Sequence, residues 1–150
     1  MIEVRSYILV GHTPTPLEAA TEPPRDPNYV GGSIELRIDG AEVLREATYD
    51  LVDQLWAYLV DAAAKLVAGC DAAFDYPDQP LRVSFAIDAA RDTVTVEVGP
   101  RRGTAPRAEL VRAIADGAEA AFLHLNRLLP GAYDAALRDA RALRGMHGAV

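Results

Sequence analysis

The strongest constraint on the fold is a set of short stretches in which apolar and polar residues alternate, which is the pattern of a half-buried β-strand. Residues 2–10 show this pattern first, and "SIELRIDG" repeats it. The second stretch ends in Asp39-Gly40, a pair that favours a hairpin because both turn positions need positive φ. We therefore expect an N-terminal strand followed by a hairpin whose second strand is "AEVLREA".

A second hairpin is expected between residues 81 and 98, with "LRVSFAI" and "TVTVEV" as its strands. Three other segments predict irregular chain. Residues 13–32 hold five prolines and two glycines and form a proline-rich excursion. The segments "CDAAFDYPDQP" and "GPRRGTAP" are expected to be loops because they are rich in turn-forming residues.

Helical periodicity predicts three helices. The first begins with Thr48 as its N-cap and ends near residue 68. The second covers about residues 106–129 and is broken by Pro130-Gly131. The third covers about residues 132–143, and residues 145–150 are expected to form a frayed tail.

The predicted order of elements is βββαββαα, in a single α+β domain that spans residues 1–150. Because hairpins make antiparallel neighbours, we expect one five-stranded antiparallel sheet made of two hairpins and the N-terminal strand. The two long helices and the short C-terminal helix are expected to cover one face of this sheet.

Composition and charge exclude several classes of function. The net charge is −7, which argues against a nucleic-acid binder because such proteins need a basic surface. No apolar run is long enough to span a membrane, and the alternating N-terminus with its early Glu3 is unlike a signal peptide. Cys70 is the single cysteine, so a disulfide framework is excluded. We expect a cytoplasmic protein.

The first helix, "TYDLVDQLWAYLVD" at its start, mixes aromatic and acidic residues. On a helical wheel Trp56 falls at the edge of the apolar stripe, which favours a place in the core. Asp50, Asp53 and Asp61 fall on the opposite face, beside small residues. This face predicts a flat acidic surface that attracts a basic partner.

Further acidic side chains follow this helix. Asp75 and Asp78 lie next to prolines in a predicted loop, where they favour turns and add negative charge. Their spacing does not match a calcium-binding loop, and the three histidines are too dispersed for a zinc motif. We therefore expect no metal and no cofactor. The partner-binding residues predicted from charge and exposure are Asp50, Asp53, Asp61, Asp75 and Asp78.

Two alternatives remain open at the level of sequence. The first is a small-molecule-binding protein or enzyme with a pocket between the sheet and residues 13–32, lined by Tyr7, His12, Tyr29 and Trp56. The second is a homo-oligomeric structural module. Its copies would join through the open sheet face or through the last helix. The exposed basic stripe of Arg138, Arg141 and Arg144 on that helix either compensates the helix C-terminus or pairs with the acidic strip of another copy, giving a homodimer.

The segments "GSIELRIDGAEVL", "YDLVDQLWAYLVD" and "YPDQPLRVSF" together resemble small actinobacterial proteins of the bacterial toxin-immunity type. The resemblance covers about residues 32–98. It implies a non-enzymatic, cytoplasmic, acidic protein that neutralises a toxin by masking a basic surface of it. The resemblance assigns no individual contact residue.

Overall fold

The structure is a computed structural model that describes residues 1–147. It is a mixed α+β structure, as predicted, and its described part contains two antiparallel sheets and three helices. The strands of the first sheet are β1 (Ile2–Val10), β2 (Thr13–Pro16), β3 (Gly31–Ile38), β4 (Ala41–Leu44) and β5 (Asp50–Leu51). The strands of the second sheet are β6 (Ala72–Asp75), β7 (Arg82–Asp88), β8 (Thr93–Val98) and β9 (Arg101–Pro106). The helices are α1 (Val52–Val67), α2 (Arg107–Leu128) and α3 (Asp134–His147).

The first sheet is built around β1 and β3, which pair from Ile2 opposite Ile38 to Ile8 opposite Gly32. β2 continues the sheet beyond β1, while β4 and the short β5 pair with β3. The hairpin predicted at Asp39-Gly40 is confirmed. Its φ angles are 50° and 84°, both in the left-handed region that this turn requires.

The second predicted hairpin, β7 and β8, forms a sheet of its own instead of joining the first sheet. Two segments predicted to be loops supply its outer strands. β6 places Phe74 opposite Val83, and β9 places Ala105 opposite Val94. Pairing with β7 and β8 satisfies the backbone of both segments, and this outweighs the turn preference of the neighbouring prolines and glycines.

The two sheets meet where β9 crosses β3 and β4. A β-carbon added to Gly103 would lie 3.0 Å from Ile38 Cβ and 3.0 Å from Val43 Cγ2. The missing side chain at this position therefore allows the backbone of one sheet to approach the side chains of the other. The buried apolar residues of both sheets and all three helices belong to one continuous core.

The helices follow the predicted apolar stripes, but their first residues differ from the prediction. Thr48 does not cap α1; its N–H donates to the carbonyl oxygen of Arg45 in a turn, and the helix begins only at Val52, after β5. Likewise α2 begins at Arg107 and not at residue 106, because Pro106 is the last residue of β9. In both places strand pairing holds residues that sequence preference assigns to a helix start.

The proline-rich segment 13–32, predicted to be irregular, contains regular structure. It contains β2 and a 3-10 turn over Leu17–Ala19. Leu17 and Val30 are both buried in the core. Burial of these two side chains anchors both halves of the segment to the core. The proline content of the segment did not predict this anchoring.

The last helix also departs from the prediction. It runs to His147, so residues 145–147 of the predicted tail are helical, and residues 148–150 lie outside the described part. Arg141 and Arg144 do not form a free basic stripe. Arg141 Nε lies 3.0 Å from Glu119 Oε2, and Arg144 bonds to Asp116 at 2.6 Å and to Glu119 at 2.8 Å. These ion pairs hold α3 against α2 of the same chain.

Candidate functional site

Two of the predicted acidic residues are not on the open surface. Asp50 is only 8% exposed, because it lies in β5 at the edge of the first sheet and not on α1. Asp53 is half-buried, and its Oδ2 accepts a hydrogen bond of 2.9 Å from the hydroxyl of Tyr133. The expectation that these two carboxylates form an exposed strip is wrong, because backbone and side-chain donors surround both.

Asp50 acts as a hub for hydrogen bonds. Its Oδ1 accepts from the N–H of Leu51 at 2.7 Å. Its Oδ2 accepts from the N–H of Asp78 at 3.2 Å and from Nε2 of Gln79 at 2.9 Å. The same Gln79 nitrogen donates to the carbonyl oxygen of Tyr49 at 2.9 Å. Asp50 therefore fixes the loop after β6 to the chain that enters α1.

The environment of Asp50 also perturbs a tyrosine. Tyr76 is buried, and burial together with the nearby Asp50 carboxylate raises the pKa of its hydroxyl to about 12, with Arg101 acting in the opposite direction. Tyr133 is perturbed in the same direction: burial and the contact with Asp53 raise its pKa. Both effects favour the neutral phenol, because the charged form loses hydration beside a carboxylate.

The other three predicted aspartates are exposed. Asp61 lies on α1, beside the shallow depression between that helix and β6. Asp75 lies 3.4 Å from Arg82, with which it forms an exposed ion pair. Asp78 carries its exposed side chain on the loop that Asp50 holds. The structure thus brings Asp50 and Asp78 together and leaves Asp61 and Asp75 at separate places.

The four residues predicted to line one pocket do not meet in a single cavity. Trp56 is fully buried, and its Nε1 donates to Ser6 Oγ at 2.9 Å, in agreement with the core role predicted for it. Tyr7 lines a cleft between β1 and α2, whereas Tyr29 lines two other cavities at the Val10 end of β1. His12 is exposed in the turn between β1 and β2. The prediction of a single pocket lined by these four residues is therefore wrong.

Two exposed tyrosines mark the most distinctive surface. Tyr29 is 63% exposed and Tyr49 is 41% exposed, and both line one shallow groove of about 220 Å³. We call this feature the tyrosine–aspartate groove, and its lining residues are Leu9, Tyr29, Tyr49, Asp50, Leu51, Asp78 and Gln79. The groove therefore combines aromatic rings with two carboxylates.

The surroundings of this groove add more negative charge. A neighbouring cavity of about 450 Å³ shares Leu9 and Tyr29 with it. Glu22 and Asp26 also line that cavity, with Arg25 as its single basic residue. The whole region is a pair of adjoining depressions with an acidic rim.

Sequence patterns identified part of this surface only. They selected Asp50 and Asp78 as partner-binding residues and Tyr29 as a residue of a separate pocket. They did not select Tyr49 or Gln79. The signal for Tyr49 was its place in front of the helix start, since a large aromatic residue outside the apolar stripe has no core position to fill. The contacts of Gln79 depend on loop geometry, which one sequence does not reveal.

The chemistry available elsewhere is limited. Among the side chains that the structure describes within residues 1–147, no three histidine, cysteine, aspartate or glutamate groups are close enough to hold a metal ion. In the same range no helix is both long and apolar enough to cross a membrane. Cys70 is exposed, and His124 Nδ1 lies 3.3 Å from Arg127 NH1 on the same helix.

Comparison of the chain with protein-family models, with curated proteins and with solved structures finds no match.

Proposed function

We propose that the protein is a non-enzymatic binding protein whose tyrosine–aspartate groove binds a basic surface of a protein partner. The observation that carries this proposal is the exposure of Tyr29 and Tyr49 beside the carboxylates of Asp50 and Asp78. Tyr29 and Tyr49 line the same groove, and tyrosine is enriched where proteins meet.

The chemistry of the groove favours arginine or lysine. A guanidinium or ammonium group is attracted to the face of a tyrosine ring. The exposed carboxylate of Asp78 can accept charge-assisted hydrogen bonds from the same group. The net charge of −7 adds a long-range attraction that speeds the encounter with a basic protein.

The size of the groove also favours a protein partner. The groove itself, without the adjoining cavity of about 450 Å³, has a volume of about 220 Å³, below the roughly 300–1,000 Å³ typical of small-molecule sites. A space of this size suits one long side chain that projects from a larger surface. The resemblance to toxin-immunity proteins supports a bacterial toxin as the partner, with the groove masking a basic surface of that toxin.

The test begins with capture of partners by the purified protein from its native lysate at low salt. The captured protein is then purified and titrated calorimetrically with wild type, Tyr29→Ala, Tyr49→Ala and Asp78→Lys. Asp139→Lys serves as the matched control, because Asp139 is an exposed aspartate on α3, away from the groove.

We expect each groove variant to weaken binding by about tenfold or more, which corresponds to about 1.4 kcal/mol. Asp78→Lys should also reduce the dependence of affinity on salt, since it reverses a charge that attracts the partner. Asp139→Lys should bind like wild type. A partner with an acidic binding surface, or equal affinity for all variants, would sink the proposal.

A further inference from the structure

The edge of β1 that faces away from β3 is only half paired. β2 pairs with β1 from Val10 to Tyr7 and no further. Within the described residues no strand pairs with β1 over Ile2–Ser6 on this side. An unpaired strand edge presents a row of backbone N–H and C=O groups that can hydrogen-bond another chain.

The backbone direction along this edge follows from one contact. The carbonyl oxygen of Tyr7 lies against Gly32 on β3, so close that a β-carbon at Gly32 would overlap it. In an antiparallel pair, successive residues direct their backbone groups to opposite sides of the strand. The N–H and C=O groups of Ser6 and Val4 therefore point away from β3, toward the open edge.

These backbone groups face a cleft between β1 and α2. The cleft has a volume of about 440 Å³ and is bounded at one end by the 3-10 turn. The wall on α2 consists of the small residues Gly117, Ala120 and Ala121 and of His124. Gly117 lies over the ring of Trp56: a β-carbon there would be 2.5 Å from Trp56 Cη2. Beyond this close contact the exposed Ala120 borders the cleft, and its small side chain leaves room beside the strand.

The polar groups of the cleft carry little net charge. Its lining includes one carboxylate, Glu18, and one guanidinium, Arg5, and both residues are exposed. Ser6 Oγ accepts from Trp56 Nε1, which leaves the hydroxyl proton of Ser6 to donate. His124 supplies a further imidazole. A neutral ligand with alternating donors and acceptors matches this set better than a charged one.

We propose that the cleft binds an extended peptide segment of a partner, which adds a strand to the open edge of β1 along Ile2–Ser6. An extended backbone matches Val4 and Ser6 because its own donors and acceptors repeat every two residues. Alternate side chains of the peptide point toward Gly117 and Ala120, so these side chains are uncharged and of small or medium size. This site is separate from the tyrosine–aspartate groove and does not depend on its role.

The test uses a library of random peptides displayed on phage. The library is panned against wild-type protein after counter-selection on Ala120→Trp, in which an indole occupies the cleft. Ala120 is exposed, so this substitution does not disturb the core. The control Ala142→Trp places the same side chain at an exposed position on α3. Counter-selection removes peptides that bind the groove or any other surface.

Synthetic copies of the enriched peptides should bind wild type and Ala142→Trp equally, and Ala120→Trp at least about tenfold more weakly. Ala120→Leu, a smaller block, should give an intermediate loss. Peptide binding should also slow hydrogen exchange of the Val4 and Ser6 amides, a readout specific to backbone pairing. The proposal is overturned if no peptide is enriched, if Ala120→Trp binds as well as wild type, or if the exchange of these two amides is unchanged.

Discussion

At the scale of single residues, Asp50 shows how a buried carboxylate can shape a surface groove. It is 8% exposed and accepts hydrogen bonds from Leu51, Asp78 and Gln79. These bonds fix the position of the loop that carries Asp78 and of the chain that carries Tyr49. Asp50 is therefore a positioning residue of the groove.

Replacing Asp50 with alanine should lower the free energy of unfolding by about 1–3 kcal/mol, because buried donors lose their acceptor. Urea denaturation measures this change. Asp61→Ala, at an exposed position on α1, should stay within about 0.5 kcal/mol of wild type. Equal stability of the two variants would show that Asp50 does not hold the loop.

Tyr76 should make the free energy of unfolding fall as the pH becomes alkaline. Its folded-state pKa is raised to about 12 by burial and by Asp50, whereas an unfolded tyrosine ionises near pH 10. The contribution of Tyr76 to the free energy of unfolding is therefore complete below about pH 10 and is lost as the pH rises toward about 12. Tyr133 acts in the same direction, since its pKa is also raised.

The variant Tyr76→Phe should consequently lose less stability than wild type between pH 10 and pH 11. The difference in slope should be about 1.4 kcal/mol per pH unit at most, the value for one proton. Urea denaturation at several alkaline pH values measures it. Identical slopes for wild type and Tyr76→Phe would contradict the assigned pKa.

Patterns in one sequence predicted the position of a residue within its own helix better than its contacts with distant parts of the chain. The place of Trp56 in the core followed from helical periodicity and is confirmed. The exposure of Asp50 and Asp53 did not follow, because Asp50 lies in a two-residue strand and Asp53 meets Tyr133, 80 positions along the chain. Contacts of this separation leave no local signal.

At the scale of elements, the predictable parts were those with a long local pattern. The strands β1, β3, β7 and β8 and the hairpin at Asp39-Gly40 were recognisable by alternation and turn chemistry. The short strands β2, β6 and β9 were not, because their stability comes from pairing with neighbours and not from their own residues. In the structure β6 and β9 pair with β7 and β8, and these four strands form a second sheet.

The packing of α2 over α1 gives a test at this scale. A β-carbon on Gly117 would lie 2.5 Å from Trp56 Cη2 and 3.1 Å from Val4 Cγ1. Since Trp56 is fully buried, Gly117→Ala should destabilise the protein by about 1–3 kcal/mol through overpacking.

Gly145→Ala is the control, because Gly145 lies in α3 with open space around it. That control should be neutral or stabilising by up to about 1 kcal/mol. If Gly117→Ala gains stability like the control, the close approach of the helices is refuted.

At the scale of the whole molecule, the two sheets share one core. Buried residues from both sheets belong to the same apolar cluster, and β9 contacts β3 and β4 where Gly103 allows close approach. α2 packs against strands of both sheets. With no second core in the described residues, loss of one sheet would expose the apolar face of the other.

We therefore expect one cooperative unfolding transition in which both sheets take part. Fluorescence of Trp56, the single tryptophan, should report the same free energy of unfolding as hydrogen exchange of a backbone amide in the centre of each sheet, Leu36 in β3 and Val96 in β8. Gly103→Ala should lower the free energy of unfolding measured by hydrogen exchange equally at both amides. Its methyl group would press against Ile38 and Val43 at the junction of the sheets. If the Val96 amide exchanges at a clearly lower free energy than the Leu36 amide, the second sheet opens on its own and the shared core does not couple the two.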